Sequence, residues 1–192
     1  MEKLTGLKKI KTAVFISGTG SNLKSLIKFT KIKKSPISID LIVSNTNKAE
    51  GLSFAHQFKI KKKTFNFKDV KIVEKKILRL LEKEKIKFIC LAGFMKILSK
   101  DFIKKFDGKI INIHPSLLPK YKGLNTHFKA IENKDKFAGC TVHYVTKKLD
   151  SGKIILQKKI PITTTDNQNS LAKKVLKQEH KLYPAAITKI FN

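Results

Sequence analysis

A chain of 192 residues with 41% hydrophobic content and thirteen phenylalanines is long enough to bury the core of one domain and short for two. The formal net charge of +28 would suit nucleic acid or an anionic membrane, but Arg79 is the only arginine. Because the lysines occur in nearly every segment, the charge favours a solvated surface over a specific nucleic-acid interface.

Cysteine positions and hydropathy argue against a disulfide-linked, zinc-binding, secreted or membrane-spanning protein. Cys90 and Cys140 lie outside any CxxC motif or Cys/His cluster, so neither a disulfide framework nor a zinc site is expected. No apolar run reaches the roughly 18 residues of a membrane span, and segment 1–11 lacks the apolar centre of a signal peptide. We therefore predict a cytoplasmic protein without a metal ion and without a membrane partner.

Short apolar runs alternate with lysine-rich segments of helical periodicity through the first part of the chain. The strand-like runs are 12–17, 37–44, 88–93 and 109–114. The helical segments are 21–31, 49–58, 68–85 and 99–106. Strand followed by helix, repeated, is typical of a parallel sheet covered on both faces, so we predict a doubly wound α/β fold.

The pattern changes after residue 137. Two strand-like runs, 138–145 and 153–162, are separated by a connection too short for a crossover helix, which predicts an antiparallel pair. Segment 167–190 then carries an apolar stripe at helical spacing, at positions 171, 175, 182, 186 and 190. Glu179 falls on that stripe, and a carboxylate there needs a cation, in the first place a lysine neighbour or else a substrate amine.

A glycine-rich loop follows the first predicted strand. Gly18-Thr19-Gly20 leads into a helix that we expect Ser21 or Asn22 to cap. Free backbone N–H groups at a helix N-terminus suit a phosphate, although the glycines also fit a turn needed only for its geometry. Dinucleotide binding is disfavoured, because Leu23 stands where the third glycine of that fingerprint would be.

Asn112 and His114 are two apart on a predicted strand, so both side chains leave the same face of the sheet. Pro115 ends that strand at its C-terminal edge, where ligands bind in open α/β folds. An amide donor beside an imidazole can stabilise an oxyanion or move a proton, although a lone histidine is as often structural.

A carboxylate is needed to keep such an imidazole charged, and Asp150 in the connection between the two late strands is a candidate. Asp-Ser-Gly is also an ordinary turn sequence, so spacing alone leaves this role open. His143 lies on a strand that borders the site, without a signal of its own, and His127 begins a helical segment.

Five motifs together resemble those of the phosphoribosylglycinamide formyltransferases, a folate-dependent family. They are ISGTGSNLKSLI (16–27), LAGFMKILS (91–99), INIHPSLLPKYKGLNTH (111–127), VHYVTKKLDSGKIILQ (142–157) and QEHKLYP (178–184). The resemblance covers nearly the whole chain. It implies a Rossmann-like, doubly wound and mostly parallel sheet with an antiparallel C-terminal strand pair, in one domain over residues 1–192.

The resemblance also implies an activity and a set of site residues. The activity is formyl transfer from 10-formyltetrahydrofolate to the amine of glycinamide ribonucleotide, in de novo purine biosynthesis and without a metal. The matched catalytic residues are Asn112, His114 and Asp150, and the matched substrate-binding residues are Gly20, Ser21, Asn22 and Glu179. The matched folate-binding residues are Met95, Lys96, Ile97, Leu98, Asn112, Thr146, Lys147, Lys148, Leu149 and Asp150.

Three positions depart from the family pattern. Lys96 replaces a common arginine, which matters little if the backbone makes the folate contacts. Asn125 stands where a histidine is usual, so a role for that side chain is not carried over. Near the third helix, where some members use an arginine for folate, this chain offers only Lys68 or Lys71.

On this interpretation the substrate amine attacks the formyl carbon directly and gives a tetrahedral oxyanion. Asn112 and protonated His114 stabilise the oxyanion, while Asp150 keeps the imidazole cationic. The expected partners are small-molecule substrates and no specific nucleic acid, for a monomer or weak homodimer.

Three alternatives remain. A methionyl-tRNA formyltransferase carries an added C-terminal tRNA-binding domain, and a formyltetrahydrofolate hydrolase usually carries an N-terminal regulatory domain. We expect neither, because the 192 residues leave no room for a further domain. The third is a basic nucleic-acid or scaffold module that kept the fold without the activity, which the intact catalytic residues disfavour.

Overall fold

The computed structural model describes residues 9–191, which form one seven-stranded sheet with helices on both faces. The strands are β1 (Ile10–Ile16), β2 (Ile37–Ser44), β3 (Lys61–Thr64), β4 (Phe88–Leu91), β5 (Lys109–His114), β6 (Phe137–Tyr144) and β7 (Ile154–Pro161). The α-helices are α1 (Ser21–Thr30), α2 (Ser53–Gln57), α3 (Val70–Lys83), α4 (Lys100–Lys105), α5 (Thr126–Glu132) and α6 (Gln168–Phe191). A 3₁₀ turn, Glu50–Leu52, precedes α2.

The strand order within this described part is β3-β2-β1-β4-β5-β6-β7. Strands β1 to β5 are parallel to one another, whereas β6 is antiparallel to both β5 and β7. The first five strands follow the 3-2-1-4-5 order of the Rossmann fold. The predicted Rossmann-like, mostly parallel sheet with an antiparallel C-terminal pair is therefore confirmed.

Strand β1 lies at the centre of the sheet and is buried on both faces. Val14 and Ile16 belong to one apolar cluster, which contains residues of α1 and α6. Ala13 and Phe15 belong to the other, which contains residues of α3 and α4. Because successive side chains of a strand point to opposite faces, an uninterrupted apolar run is what a central parallel strand requires.

Strand β3 has no counterpart among the sequence predictions. Its four residues, Lys61–Thr64, are all exposed, and among the described strands it pairs only with β2. Without a buried face, the segment shows no apolar alternation from which a strand could be predicted. A row of lysines at the edge of a sheet also opposes pairing with a further strand.

Helix α6 packs against α1 and the sheet, although Pro184 lies inside it. Proline has no N–H, so the carbonyl of His180, one turn earlier, loses its helical hydrogen bond. The Ser25 hydroxyl of α1 donates to that carbonyl at 2.8 Å. In addition, the buried Tyr183 hydroxyl lies 2.9 Å from the Leu91 carbonyl oxygen, which anchors α6 beside β4.

The helices of residues 9–191 include none that combines the length and the apolar composition needed to cross a bilayer. The connections after β1 and β4 carry Gly20 and residues 95–98, and strand β5 carries Asn112 and His114. Asp150 lies in the β6–β7 connection and Glu179 in α6. In the Rossmann fold the C-terminal ends of the parallel strands share one edge of the sheet, where ligands bind.

Candidate active site

Strand β5 presents the first two predicted catalytic side chains. Asn112 is partly buried and His114 is buried, and both extend from the same face of the strand. The antiparallel register places Asn112 directly opposite His143 of β6. The change from parallel to antiparallel pairing occurs at β5, so these side chains lie between the parallel part of the sheet and the antiparallel pair.

The ring of His114 has two distinct neighbours. Its Nε2 lies 2.9 Å from the Tyr121 carbonyl oxygen, and its Nδ1 lies 3.5 Å from Oδ2 of Asp150. A carbonyl oxygen only accepts, so Nε2 carries a hydrogen and donates it. The other ring nitrogen, Nδ1, faces the carboxylate.

Asp150 reaches the site from the connection between β6 and β7. Its backbone adopts a left-handed conformation with φ of 44°, which aspartate tolerates better than most residues. The Gly123 N–H donates to Oδ2 at 2.9 Å, and His143 Nε2 lies 3.6 Å from Oδ1. Burial acts to raise the pKa of this carboxyl, but His143, the Gly123 N–H and the nearby His114 outweigh it and lower the pKa. Asp150 is therefore the anion of the site.

His143 is a member of this cluster that the sequence did not single out. Its Nδ1–H donates to the carbonyl of Tyr144 at 2.9 Å, which turns Nε2 toward Asn112 Nδ2 at 3.3 Å and toward Asp150. The imidazole is buried. The signal that would have identified it is the cross-strand pairing with Asn112, which a single sequence does not contain.

The glycine-rich loop lies against the 3₁₀ turn after β2. Gly20 has φ of 73°, and a Cβ added to it would lie 2.6 Å from the Cα of Gly51. The Gly51 N–H donates to the carbonyl of Gly18 at 3.0 Å. Both Gly20 and Gly51 therefore have to be glycine for the two backbones to approach this closely.

The predicted cap of α1 is wrong. The helix begins at Ser21, Gly20 occupies the capping position, and neither Ser21 nor Asn22 caps it through a side-chain hydrogen bond within the described residues. Asn22 is buried, and its amide instead donates to Oε2 of Glu179 at 2.7 Å. The first-turn N–H groups of α1 thus have no side-chain acceptor in this part of the chain, as an anion-binding helix terminus requires.

Glu179 is buried on the inner side of α6. The lysine partner expected for it is wrong: among residues 9–191 its polar contact is the amide of Asn22, and no ion pair involves it. Burial raises the pKa of this carboxyl, and the Asn22 hydrogen bond only partly opposes the rise. Glu179 is therefore a carboxyl with an increased tendency to hold a proton.

The two segments matched to folate binding lie outside regular secondary structure. Residues 95–98 follow β4, with Met95 and Ile97 exposed by 65% and 72% and Leu98 buried. In the β6–β7 connection, the side chains preceding Asp150 are exposed, namely Thr146, Lys147, Lys148 and Leu149. Met95, Ile97 and Leu149 therefore give these two segments exposed apolar surface.

Residues 9–191 contain no group of three or more His, Cys, Asp or Glu side chains placed to hold a metal ion. Cys90 and Cys140 are both buried as free thiols. Burial is the main cause that raises the pKa of the Cys90 thiol, so this sulfur is not poised as a nucleophile.

A Rossmann-like sheet with Asn112, His114 and Asp150 gathered at its strand ends is the architecture of a group-transfer enzyme. Comparison with known protein families identifies which one. The model of the formyl transferase family matches residues 10–187, and the chain belongs to this family. The family predicted from the five motifs is thereby confirmed.

Two relatives match nearly the whole of this chain but differ greatly in their own length. The trifunctional purine biosynthetic protein adenosine-3 of Homo sapiens is 44% identical over 94% of this chain, which spans only 18% of that relative's length. The phosphoribosylglycinamide formyltransferase of Escherichia coli strain K12 is 39% identical over 91% of this chain and 84% of that protein.

A solved structure agrees with the curated relatives. The phosphoribosylglycinamide formyltransferase of Brucella melitensis superposes with a TM-score of 0.90 at 41% identity. The match covers 95% of this chain and 96% of the Brucella melitensis chain. The similarity therefore extends over the whole fold and includes the connections that carry the site.

Proposed function

We propose that this protein transfers a formyl group from 10-formyltetrahydrofolate to the amine of glycinamide ribonucleotide in de novo purine biosynthesis. The observation that carries the proposal is the approach of Asp150 to His114 at 3.5 Å beside the amide of Asn112. The likeness to phosphoribosylglycinamide formyltransferases over most of the chain supports the choice of substrates.

In the proposed reaction the amine lone pair attacks the formyl carbon, and the carbonyl electrons move onto oxygen. The tetrahedral species collapses when the bond to the folate nitrogen breaks, and the proton lost by the amine is returned to that leaving nitrogen. Asn112 donates one amide hydrogen to the oxyanion while the other faces His143. The positive charge of protonated His114 stabilises the oxyanion electrostatically, and anionic Asp150 stabilises that charge in turn.

The ribonucleotide phosphate is assigned to the loop before α1. Gly20 occupies the capping position, Ser21 and Asn22 begin the helix, and no side chain in residues 9–191 caps it. Glu179 adjoins the loop through its hydrogen bond with Asn22 and is assigned to the polar part of the same substrate.

The folate is assigned to residues 95–98 and 146–150. The exposed apolar side chains of Met95, Ile97 and Leu149 supply contact surface for the folate. The backbone groups of the two segments supply its hydrogen bonds. Because backbone groups make these bonds, Lys96 replaces the usual arginine without loss of the site. The proposed setting is the cytoplasm, for a monomer or weak homodimer that uses no metal, membrane or specific nucleic acid.

The decisive assay combines the purified protein with both substrates. Tetrahydrofolate should form only when glycinamide ribonucleotide is present. Formation without the nucleotide would instead indicate a hydrolase. Salt-dependent binding of random oligonucleotides, without any formyl transfer, would favour the basic nucleic-acid module.

The catalytic assignment is tested by Asn112→Ala. Loss of one oxyanion donor should lower kcat by about 100- to 1,000-fold with a much smaller change in KM. Asn133→Ala is the matched control, because this exposed amide only donates to the carbonyl of Lys129. Unchanged turnover of Asn112→Ala would refute the assignment.

A further inference from the structure

We propose that Ser17 is a positioning residue that holds the segment 95–98 against the glycine-rich loop, so that one hydrogen-bonded unit presents both substrate sites. The inference rests on the proposed function, since it assigns a role within the folate site. Ser17 is the first residue after β1 and directly precedes Gly18.

Ser17 makes three hydrogen bonds to the two neighbouring strand ends. Its N–H donates to the Gly93 carbonyl at 3.1 Å, and its Oγ accepts from the Met95 N–H at 2.7 Å. Its hydroxyl donates to Oδ1 of Asn45 at 2.5 Å. Since Asn45 follows β2 and Met95 follows β4, one side chain joins the loops after β1, β2 and β4.

The chemistry of the position requires a hydroxyl group. Oγ accepts from a backbone N–H and donates to an amide oxygen at the same time. An alanine offers neither function, whereas a threonine keeps both. Substitution by threonine therefore separates loss of the hydroxyl from a general effect of mutating Ser17.

The segment 95–98 depends on this contact more than most loops depend on a single hydrogen bond. Within residues 9–191, the bond from the Met95 N–H to Ser17 is the only protein hydrogen bond made by the backbone of 95–98. Met95 and Ile97 are exposed, so packing does not fix them, and only Leu98 is buried. Removing the Ser17 hydroxyl should therefore free the folate segment without disturbing β1.

The predicted kinetic result is a split between two substrates. Ser17→Ala should raise KM for 10-formyltetrahydrofolate by about three- to tenfold, because the donor must then order the segment on binding. The KM for the ribonucleotide and kcat should stay within about twofold of wild type. A purely structural defect would change both KM values and the melting temperature. Ser17→Thr should restore the donor KM.

Ser38→Ala is the matched control. It also removes a hydroxyl that donates to a side-chain oxygen, Oδ2 of Asp40 at 2.6 Å, but from the beginning of β2. This variant should leave both KM values unchanged. An equal rise of the donor KM in Ser38→Ala and Ser17→Ala would overturn the proposal.

A second readout does not require activity. Methionine occurs only at positions 1 and 95, so labelling with [¹⁵N]methionine gives an amide signal for Met95 that Met95→Leu assigns. Hydrogen exchange of the Met95 N–H should be slow in wild type and in Ser17→Thr. It should be about tenfold faster in Ser17→Ala, since the amide then loses its acceptor.

The two readouts separate this inference from the proposed function. If wild type fails to transfer formyl groups, the proposed function is wrong, and Met95 exchange still decides whether Ser17 holds the segment. If wild type is active but Ser17→Ala has an unchanged donor KM and unchanged Met95 exchange, Ser17 is not a positioning residue.

Discussion

Asp150 and Glu179 are buried carboxyls assigned to the same candidate site, yet their surroundings shift their acidity in opposite directions. Asp150 receives the Gly123 N–H and faces two imidazoles, so its pKa falls despite burial. Glu179 has one neutral amide as its partner, so burial dominates and its pKa rises. The comparison shows that burial alone does not decide the charge of a carboxyl; the number and charge of its hydrogen-bond donors do.

The difference suits two different roles. An ionised Asp150 can stabilise an imidazolium at His114, whose positive charge then favours an oxyanion nearby. Glu179 contacts Asn22 at the start of α1, where a carboxyl with a raised pKa can exchange hydrogen bonds with a polar ligand. Three substitutions test this contrast.

The largest effect is expected from Asp150→Asn. The amide keeps the acceptor for the Gly123 N–H but removes the negative charge beside His114, so kcat should fall by about 100- to 1,000-fold. Steady-state kinetics measure the change. Asp166→Asn, which removes a charge from the β7–α6 connection, should leave kcat within about twofold. If both variants lose activity equally, the loss does not depend on the charge beside His114.

An intermediate effect is expected from Asn22→Ala. This change leaves the buried Glu179 carboxyl without the amide that donates to it at 2.7 Å. The free energy of unfolding at neutral pH should fall by about 1–3 kcal/mol, as measured by urea denaturation. A loss below about 0.5 kcal/mol would mean that Glu179 finds another donor, and the contrast with Asp150 would weaken.

The smallest effect is expected from Glu179→Gln and depends on pH. Because the folded-state pKa of Glu179 is raised, the folded protein binds this proton more tightly than the unfolded chain. Stability from this group is therefore fully present below the unfolded pKa, about 4.3, and is lost as pH rises through the folded pKa. Glutamine keeps the acceptor for Asn22 and has no charge to bury. Its melting temperature should exceed that of wild type at pH 8 by about 2–4 °C, the shift that about 1 kcal/mol produces in a domain of this size.

Thermal unfolding at pH 4 and pH 8 measures this difference. The exposed Glu132→Gln serves as the control, because its side chain is solvated in both states. A Glu179→Gln advantage of the same size at both pH values would show that the carboxyl is not the cause.

Much of the fold follows from local pattern. Strands such as β2 and β5 were predicted to the residue, because apolar runs buried on two faces are easily recognised. The structure also brings two of the predicted catalytic side chains, His114 and Asp150, to within 3.5 Å of each other. Strand β3 was missed, since an exposed lysine segment becomes a strand only through the open edge of β2. The side-chain cap of α1 was predicted wrongly, because Asn22 is bound to a residue 157 positions away.

By itself, the sequence determined the alternation of strands and helices, the glycine-rich loop and the motifs of the formyl transferase family. These depend on local spacing and on residue type. The tertiary structure alone decided that His143 joins the cluster and that Asp150 and Glu179 differ in acidity. The physical reason is that the pKa of a buried group depends on donors and charges brought from distant segments, and a linear pattern does not record which of them meet.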